Sequence, residues 1–236
     1  MPQYSPMQDI RTITLDLDDT LWAIHPVIVR AEKALYAWLQ ENYPRITDRF
    51  SPQDLMQMRE DIVTEYKDKG HDFTFLRRKV LGQVGTATGY GEAPVDGAMA
   101  LFSAYRNDVE LFPEVRPALD ALGKKYSVVA VTNGNANLDT IGIRDLFDEV
   151  VSAASVGVAK PAREIFDVAA KAGGAANHET LHVGDHPEVD VVGASNAGLR
   201  SVWVNRHGDD WPDYLQRPDG IVKDVGELLE LLGIQS

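Results

Sequence analysis

Three aspartates, Asp16, Asp18 and Asp19, followed by Thr20, lie in the stretch T-I-T-L-D-L-D-D-T-L-W over 12–22. Ile13, Leu15 and Leu17 alternate with β-branched Thr12 and Thr14, the pattern of a strand buried on both faces. Desolvating several like charges at the end of such a strand costs several kcal/mol per ion unless a cation or ligand compensates. The plainer reading is an Asp-rich turn that caps the next segment. The alternative is chemistry. One carboxylate can attack a phosphoryl group and become an acyl-phosphate. A second can protonate the leaving oxygen and then deprotonate the water that hydrolyses the intermediate. Asp16 and Asp18 are two apart, so on an extended chain both aim to the same side.

Three further groups fit that chemistry. They are Thr132-Asn133-Gly134-Asn135, Lys160-Pro161, and the run from Gly184-Asp185 to Asp190. Each alone is ordinary: a turn, a solvated lysine, the start of a helix. Together they fall, in order, at predicted strand ends or helix starts. Phosphoryl transfer needs positioning and charge neutralisation more than covalent machinery. Mg²⁺ takes hard oxygen ligands, here Asp16 and Asp185, and keeps several waters. Thr132, Asn133 and backbone N–H groups can hold phosphoryl oxygens, and Lys160 supplies a point charge.

The elements that must position these residues follow from periodicity. Strands are predicted at Thr12 to Leu17, Ser127 to Val131, Glu149 to Ala153, Thr180 to Val183, Ser201 to Val204 and Ile221-Val222. Helices alternate with them: Pro113 to Lys125, Lys160 to Gly173, Pro187 to Ala197 and Val225 to Leu232. This rhythm predicts an α/β fold, a three-layer Rossmann-like parallel sheet with helices on both faces. Ligands bind outside the carboxyl ends of such strands. Between the first strand and the rest the periodicity is purely helical. Ile24 to Tyr43 is amphipathic and is expected to stop at Pro44. Ser51-Pro52-Gln53-Asp54 is a helix start, and further helices are expected near Phe75 to Ala87 and Pro94 to Asn107. The expected organisation is a core of 1–22 and 110–236 with an inserted helical bundle over 23–109. Its hinges would lie near Trp22 to His25 and Val109 to Pro113.

Composition bounds the function. The chain has 236 residues, 44% hydrophobic and 25% charged, which is ordinary for a globular protein. It contains no cysteine, so disulfides, thiolate metal sites and a Cys nucleophile are excluded. The net charge of −13 argues against general nucleic-acid binding, and an anionic substrate would need a locally positive site. No secretory signal and no apolar run of membrane-spanning length is evident. The expectation is a cytoplasmic monomer or homodimer acting on a small phosphorylated metabolite, with no nucleic-acid or membrane partner.

With these motifs in hand, the chain resembles the haloacid dehalogenase-like phosphatase superfamily. D-L-D-D-T is similar to that family's first motif, V-T-N to its second, Lys160 to its third and G-D-H-P-E-V-D to its fourth. The resemblance implies Asp16 as nucleophile, Asp18 as acid/base, and Thr132 and Lys160 in the catalytic set. It implies Mg²⁺ held by Asp16, the backbone carbonyl of Asp18 and Asp185, with Asp190 a further acidic member. It also implies that the helical insert is a cap of the family's first type. A narrower resemblance rests on L-D-L-D-D-T-L-W, H-P-V-I-V-R-A-E-K-A-L, V-T-N-G-N and L-H-V-G-D. These runs are similar to the subgroup that hydrolyses flavin mononucleotide and 5-amino-6-(5-phospho-D-ribitylamino)uracil, in riboflavin metabolism.

Other residues draw plainer expectations. His25, His71 and His178 lack partner spacing for a metal, and His182 alternates with apolar neighbours and is expected to be packed. Arg77-Arg78-Lys79 is expected to be a solvated face rather than a phosphate grip. Tyr36, Trp38, Phe73 and Phe75 are expected in the bundle core, whereas Trp22, beside the acids, is expected to bind substrate by lying against a flat ring. Competing functions remain open: a phosphatase of a sugar phosphate or phosphoglycolate, a haloacid dehalogenase, a sugar phosphomutase, or a non-catalytic module on the same fold. Dehalogenation needs no metal and no proton donor, which would leave Asp18 and the acidic fourth motif unexplained.

Overall fold

A computed structural model describes residue 7 and residues 9–234. The chain divides into two compact units. The first takes the described residues up to Ala23, Glu110–Gly134 and the described residues from Gly142 onward. The second takes Ile24–Val109 and Asn135–Ile141.

The strands of the first unit are β1 (Thr12–Leu15), β2 (Ser127–Thr132), β3 (Glu149–Ser152), β4 (Thr180–Gly184), β5 (Arg200–Val204) and β6 (Gly220–Val222). They form one parallel sheet in the order β3-β2-β1-β4-β5-β6. The sheet is therefore of the predicted Rossmann-like kind. Strand β1 lies between β2 and β4, with Leu15 opposite Ala130 on one side and Val183 on the other. The chain leaves β1 toward one edge and returns to its other side, so the end of β1 is the topological switch point. β1 is buried along its whole length, as its uninterrupted β-branched and apolar run requires.

In the second unit, α1 (Ile24–Asn42) buries Val27, Ala31, Leu35 and Leu39, four residues apart, against α5 of the same bundle. The remaining helices there are α2 (Pro44–Arg49), α3 (Pro52–Glu65), α4 (Phe73–Ala87) and α5 (Val95–Arg106). Pro44 was expected only to stop α1. It also starts α2, because a fixed φ and a missing N–H suit the first helical position. Ser51 and Asp54 form the expected reciprocal cap on α3, with Ser51 N donating to Asp54 Oδ2 at 2.7 Å and Asp54 N to Ser51 Oγ at 3.2 Å. Trp38 and Phe75 pack against apolar clusters of the bundle. Phe73 does not: it is 49% exposed at the first turn of α4. Asn135–Ile141 groups with this bundle through Asn137 N, which donates to Asn107 Oδ1 at 2.7 Å, and Asn135 Nδ2, which donates to Thr74 Oγ1 at 3.2 Å.

The helices of the sheet unit are α6 (Val115–Leu122), α8 (Ala153–Val156), α9 (Arg163–Ala172), α10 (Gly193–Ala197) and α11 (Val225–Leu231), while α7 (Leu138–Ile141) belongs to the bundle. One face of the sheet packs Val129, Val131 and Val151 against Ile165, Phe166 and Ala194 of α9 and α10. Helices α6 and α11 pack on each other and against β2 and β6 respectively. The helix expected over Pro187 to Ala197 opens as a widened turn, in which Val191 N reaches back five residues to His186 O at 3.3 Å. No helix among the described residues is long and apolar enough to cross a membrane.

Candidate active site

The site lies in the sheet unit, at the carboxyl end of β1. Asp16 N still donates to Val183 O at 2.9 Å, so the strand pairing carries on to the first aspartate. The chain then turns sharply: Asp19 has φ +60 and its N–H donates to Trp22 O at 2.7 Å. A short Asp side chain tolerates the left-handed region better than a branched one. Thr20 Oγ1 lies 3.5 Å from Asp16 Oδ2 and 3.2 Å from Asp185 Oδ1, bridging two acids from different strands.

Lys160, in the loop before α9, is buried against Asp16. Its Nζ donates to Asp16 Oδ1 at 2.5 Å, Asp190 Oδ1 at 2.6 Å and Val131 O at 3.0 Å. All three ammonium donors thus have partners. Asn133 fixes the lysine's backbone: Lys160 N donates to Asn133 Oδ1 at 2.7 Å, and Asn133 Nδ2 donates to Lys160 O at 2.9 Å. The side chain expected to hold phosphoryl oxygens is therefore spent on positioning Lys160. Thr132 is buried, and its Oγ1 accepts from Gly134 N at 2.9 Å.

Asp190 is reached through the widened turn after β4. Its Oδ2 accepts from His186 N at 3.0 Å, and its Oδ1 faces His182 Nε2 at 3.2 Å as well as Lys160. Its side chain packs directly against Gly184, where a Cβ would stand only 2.4 Å from Asp190 Cγ. Glycine in the Gly-Asp pair is thus required by the close approach of the second acid. Asp185 is partly buried, and its carbonyl accepts from Trp203 Nε1 at 2.7 Å.

Trp22 corrects an expectation. It is fully buried, and its indole N–H donates to Asp18 Oδ1 at 3.0 Å. A ring enclosed on all sides has no face to offer a flat substrate. Its work is to hold Asp18. In the basic run of the bundle, Arg78 and Lys79 are exposed, as expected of a solvated face, and Arg77 is partly buried. Arg77 pairs with Glu32, Arg78 with Asp96, and Lys79 lies over the rings of Tyr66 and Phe75.

Burial and like charge dominate the electrostatics. Burial, then Asp190 and Asp19, pushes the Asp185 carboxyl up to about 6. Burial raises Asp16 well above the ordinary carboxylate range, although Lys160 opposes it. Asp190 is held below that range, because Lys160 and His182 outweigh its burial. Asp16 and Asp190 in turn raise Lys160 against the effect of burial. Burial lowers His182, although Asp190 opposes it. One lysine among three acids leaves the site short of positive charge.

Oxygens of Asp16, Asp185 and Asp190 all lie within 4.8 Å of one another. Hard carboxylate donors, gathered in a poorly solvated place and lacking a full counter-charge, fit Mg²⁺. Asp16, Asp185 and Asp190 would hold the ion here. Asp190 already accepts from Lys160 Nζ and His186 N, so Asp16 and Asp185 carry more of the unmet demand.

Three residues at the site escaped the sequence reading. His182 was expected to be merely packed, although a buried imidazole inside a strand must find polar partners. Trp203 and Arg206 carried no local signal. Arg206 Nη2 donates to Thr20 O at 2.7 Å and to Glu114 Oε1 at 2.6 Å, tying the turn after the acids to the start of α6.

Comparisons with known proteins agree with the geometry. Residues 10–198 match the family described as haloacid dehalogenase-like hydrolase. The 5-amino-6-(5-phospho-D-ribitylamino)uracil phosphatase YigB of Escherichia coli is 31% identical over 88% of this chain and 88% of its own length. The (S)-2-haloacid dehalogenase 2 of a Pseudomonas species is 25% identical, covering 98% of this chain and 99% of its own. The crystal structure described as 2-haloacid dehalogenase from Pseudomonas syringae pv. Tomato DC3000 superposes with a TM-score of 0.90 at 35% identity, over 95% of this chain and 98% of that one. A central aspartate cluster on a parallel sheet, an inserted helical bundle and a match over most of the chain together make this protein a member of the haloacid dehalogenase-like hydrolase family.

Proposed function

We propose that this hydrolase is a Mg²⁺-dependent phosphatase of a small metabolite, with Asp16 as nucleophile and Asp18 as acid/base. The observation that carries the reading is the Trp22–Asp18 hydrogen bond of 3.0 Å, which fixes a second carboxylate two residues beyond the first. Hydrolysis of a carbon–halogen bond has no use for a proton donor to the leaving group. Cleavage of a phosphate ester does.

In this reading Asp16 Oδ attacks phosphorus, the ester P–O bond breaks, and the leaving oxygen takes the proton of Asp18. Asp18, now a carboxylate, removes a proton from water, which attacks the aspartyl-phosphate, breaks its P–O bond and releases inorganic phosphate and free Asp16. Lys160 holds Asp16 in place and offsets charge on the transferring group. Thr132 and backbone N–H groups near it bind phosphoryl oxygens, while Asn133 acts through Lys160. Bound Mg²⁺ would supply electrostatic neutralisation of the phosphoryl oxygens.

The ribitylaminouracil phosphate and flavin mononucleotide are candidates, supported by the likeness to the Escherichia coli phosphatase. The burial of Trp22 removes the ring-stacking argument for them. The broader reading, a small phosphate ester without commitment to a flat ring, therefore stands first. A dehalogenase reading is favoured by the names of the relatives from Pseudomonas. One panel separates these. Flavin mononucleotide, glucose 6-phosphate and phosphoglycolate are assayed for phosphate release with Mg²⁺, and 2-chloropropionate for chloride release in EDTA. Phosphate release that stops in EDTA is expected. Chloride release in EDTA with no phosphate release would overturn the reading, and sugar phosphate isomerisation without free phosphate would replace it with a mutase.

A further inference from the structure

His182 is buried in the middle of the sheet and has no place in the reaction just described. It contacts no reacting group. Its surroundings are nevertheless specific. Nδ1 lies 2.8 Å from Thr14 Oγ1 on β1, Nε2 lies 3.2 Å from Asp190 Oδ1, and the edge of the ring meets Phe166 at 5.1 Å between centroids. Thr14, His182, Asp190, Lys160 and Asp16 thus form one continuous hydrogen-bonded chain that starts on the strand carrying the nucleophile and returns to it.

The direction of the bonds follows from what each atom can do. Were Thr14 to give its proton to Leu181 O, 3.4 Å away, Nδ1–H would have to donate to Thr14. A bare Nε2 lone pair would then face the Asp190 carboxylate at 3.2 Å, acceptor against acceptor. If Thr14 donates to Nδ1 at the shorter 2.8 Å, Nε2 carries a proton and donates to Asp190. Both contacts are then favourable.

We propose that His182 is a positioning residue, whose Nε2–H, set by the Thr14 hydroxyl, holds the Asp190 carboxylate at the angle that presents Lys160 to Asp16. This rests on the reading of Asp16 and Lys160 given above. Asp190 Oδ2 is fixed by the His186 N–H at 3.0 Å, and the Nε2–H fixes Oδ1, so both ends of the carboxylate are pinned. A pinned carboxylate leaves Lys160 a single arrangement between Asp190 and Asp16. Partners of this kind, one bond removed from the reacting groups, typically account for about 10- to 100-fold in activity.

The test compares full-length wild-type protein with His182→Gln, His182→Asn and Thr14→Val. A Gln amide reaches the place of Nε2 and can donate to Asp190, whereas an Asn amide stops near the place of Nδ1. With Mg²⁺ and p-nitrophenyl phosphate, His182→Asn is expected to lower kcat about tenfold, at the modest end of the range for such partners. KM should stay within about twofold. His182→Gln should keep most of the wild-type kcat, and Thr14→Val should fall between the two. Equal losses in the Gln and Asn variants, or none in either, would overturn the proposal. The second measurement needs neither metal nor turnover. Nitrogen NMR of ¹⁵N-histidine-labelled wild-type protein should show a proton on His182 Nε2, and its absence overturns the proposal even if every variant fails to fold. Inactivity of wild-type protein on all phosphate esters would instead sink the phosphatase reading and leave the NMR result standing.

Discussion

Each unit of this protein holds an ionic cluster, and the two are built in opposite senses. In the sheet unit one lysine is shared between carboxylates. In the helical unit one carboxylate, Glu32, is shared between Arg77 Nη2 at 2.8 Å and Arg59 Nη2 at 3.0 Å. The Arg77 guanidinium also lies 3.4 Å over the ring of Phe102. Side chains of the helical cluster keep 12% to 38% exposure, so water shares the load. Those of Lys160, Asp16 and Asp190 keep 2%, 11% and 2%. A cluster with excess cations, a stacking ring and nearby water is satisfied as it stands. A drier cluster with excess acids is not, and it is the one that fits a divalent ion. A buried ion pair is by itself weak evidence of function. The unbalanced charge distinguishes the two.

The strongest way to break this comparison is to remove Asp16, the proposed nucleophile. Asp16→Asn keeps the shape but cannot form the aspartyl-phosphate, and turnover should fall by on the order of 10⁴-fold or more. Wild-type rates from the purified variant would end the assignment. Next comes Asp18→Asn, at the proposed acid/base whose carboxylate accepts from Trp22. A kcat loss of about 10²- to 10⁴-fold is expected, readable as slower phosphate release at saturating substrate.

The charge imbalance itself is tested by pH and metal. A carboxyl raised on folding favours the folded state when protonated. The contribution of Asp185 is therefore fully present below its unfolded value near 3.8 and is lost as pH rises through about 6. In metal-free protein, stability should decline across that window by at most about 2–3 kcal/mol from this group. Mg²⁺ should restore it, so the rise in Tm on adding Mg²⁺ should grow from pH 4 to pH 7. In Asp185→Asn that growth should shrink markedly. A Mg²⁺ shift independent of pH, or unchanged in the variant, would contradict the account. The smallest effect is expected in the other cluster. Arg77→Met should cost at most about 1 kcal/mol, because Glu32 is partly exposed and keeps Arg59, while the Mg²⁺-induced shift in Tm stays as in wild type. Loss of that shift would mean that the two clusters are not the separate devices described.

Much of the site could be read before any coordinates because its chemistry is local. Asp16 and Asp18 on one strand end, Lys160 before a helix and the Gly-Asp pair after β4 each announce themselves by type and position. The sheet followed from alternation of the two periods, and the cap on α3 from Ser51 and Asp54. What was missed depends on partners distant in sequence. Asn133 looked like a phosphate ligand until Lys160, 27 residues on, claimed both ends of its amide. Trp22 looked like a stacking surface until folding enclosed it. His182 looked like filler until β1 brought Thr14 beside it.

The amino-acid sequence by itself determined the strand order of events: which segments are strands, which are helices, and that acids, a threonine and a lysine arrive at strand ends or helix starts. Those properties depend on backbone periodicity and on neighbours a few residues away. Only the tertiary structure decided how the charges are shared. Lys160 lies 144 residues from Asp16 and 30 from Asp190, and their contact exists only because β1 is seated between β2 and β4. Burial and the placement of Lys160 then fix which carboxyl is raised and which is lowered, since both depend on distances that no local pattern encodes.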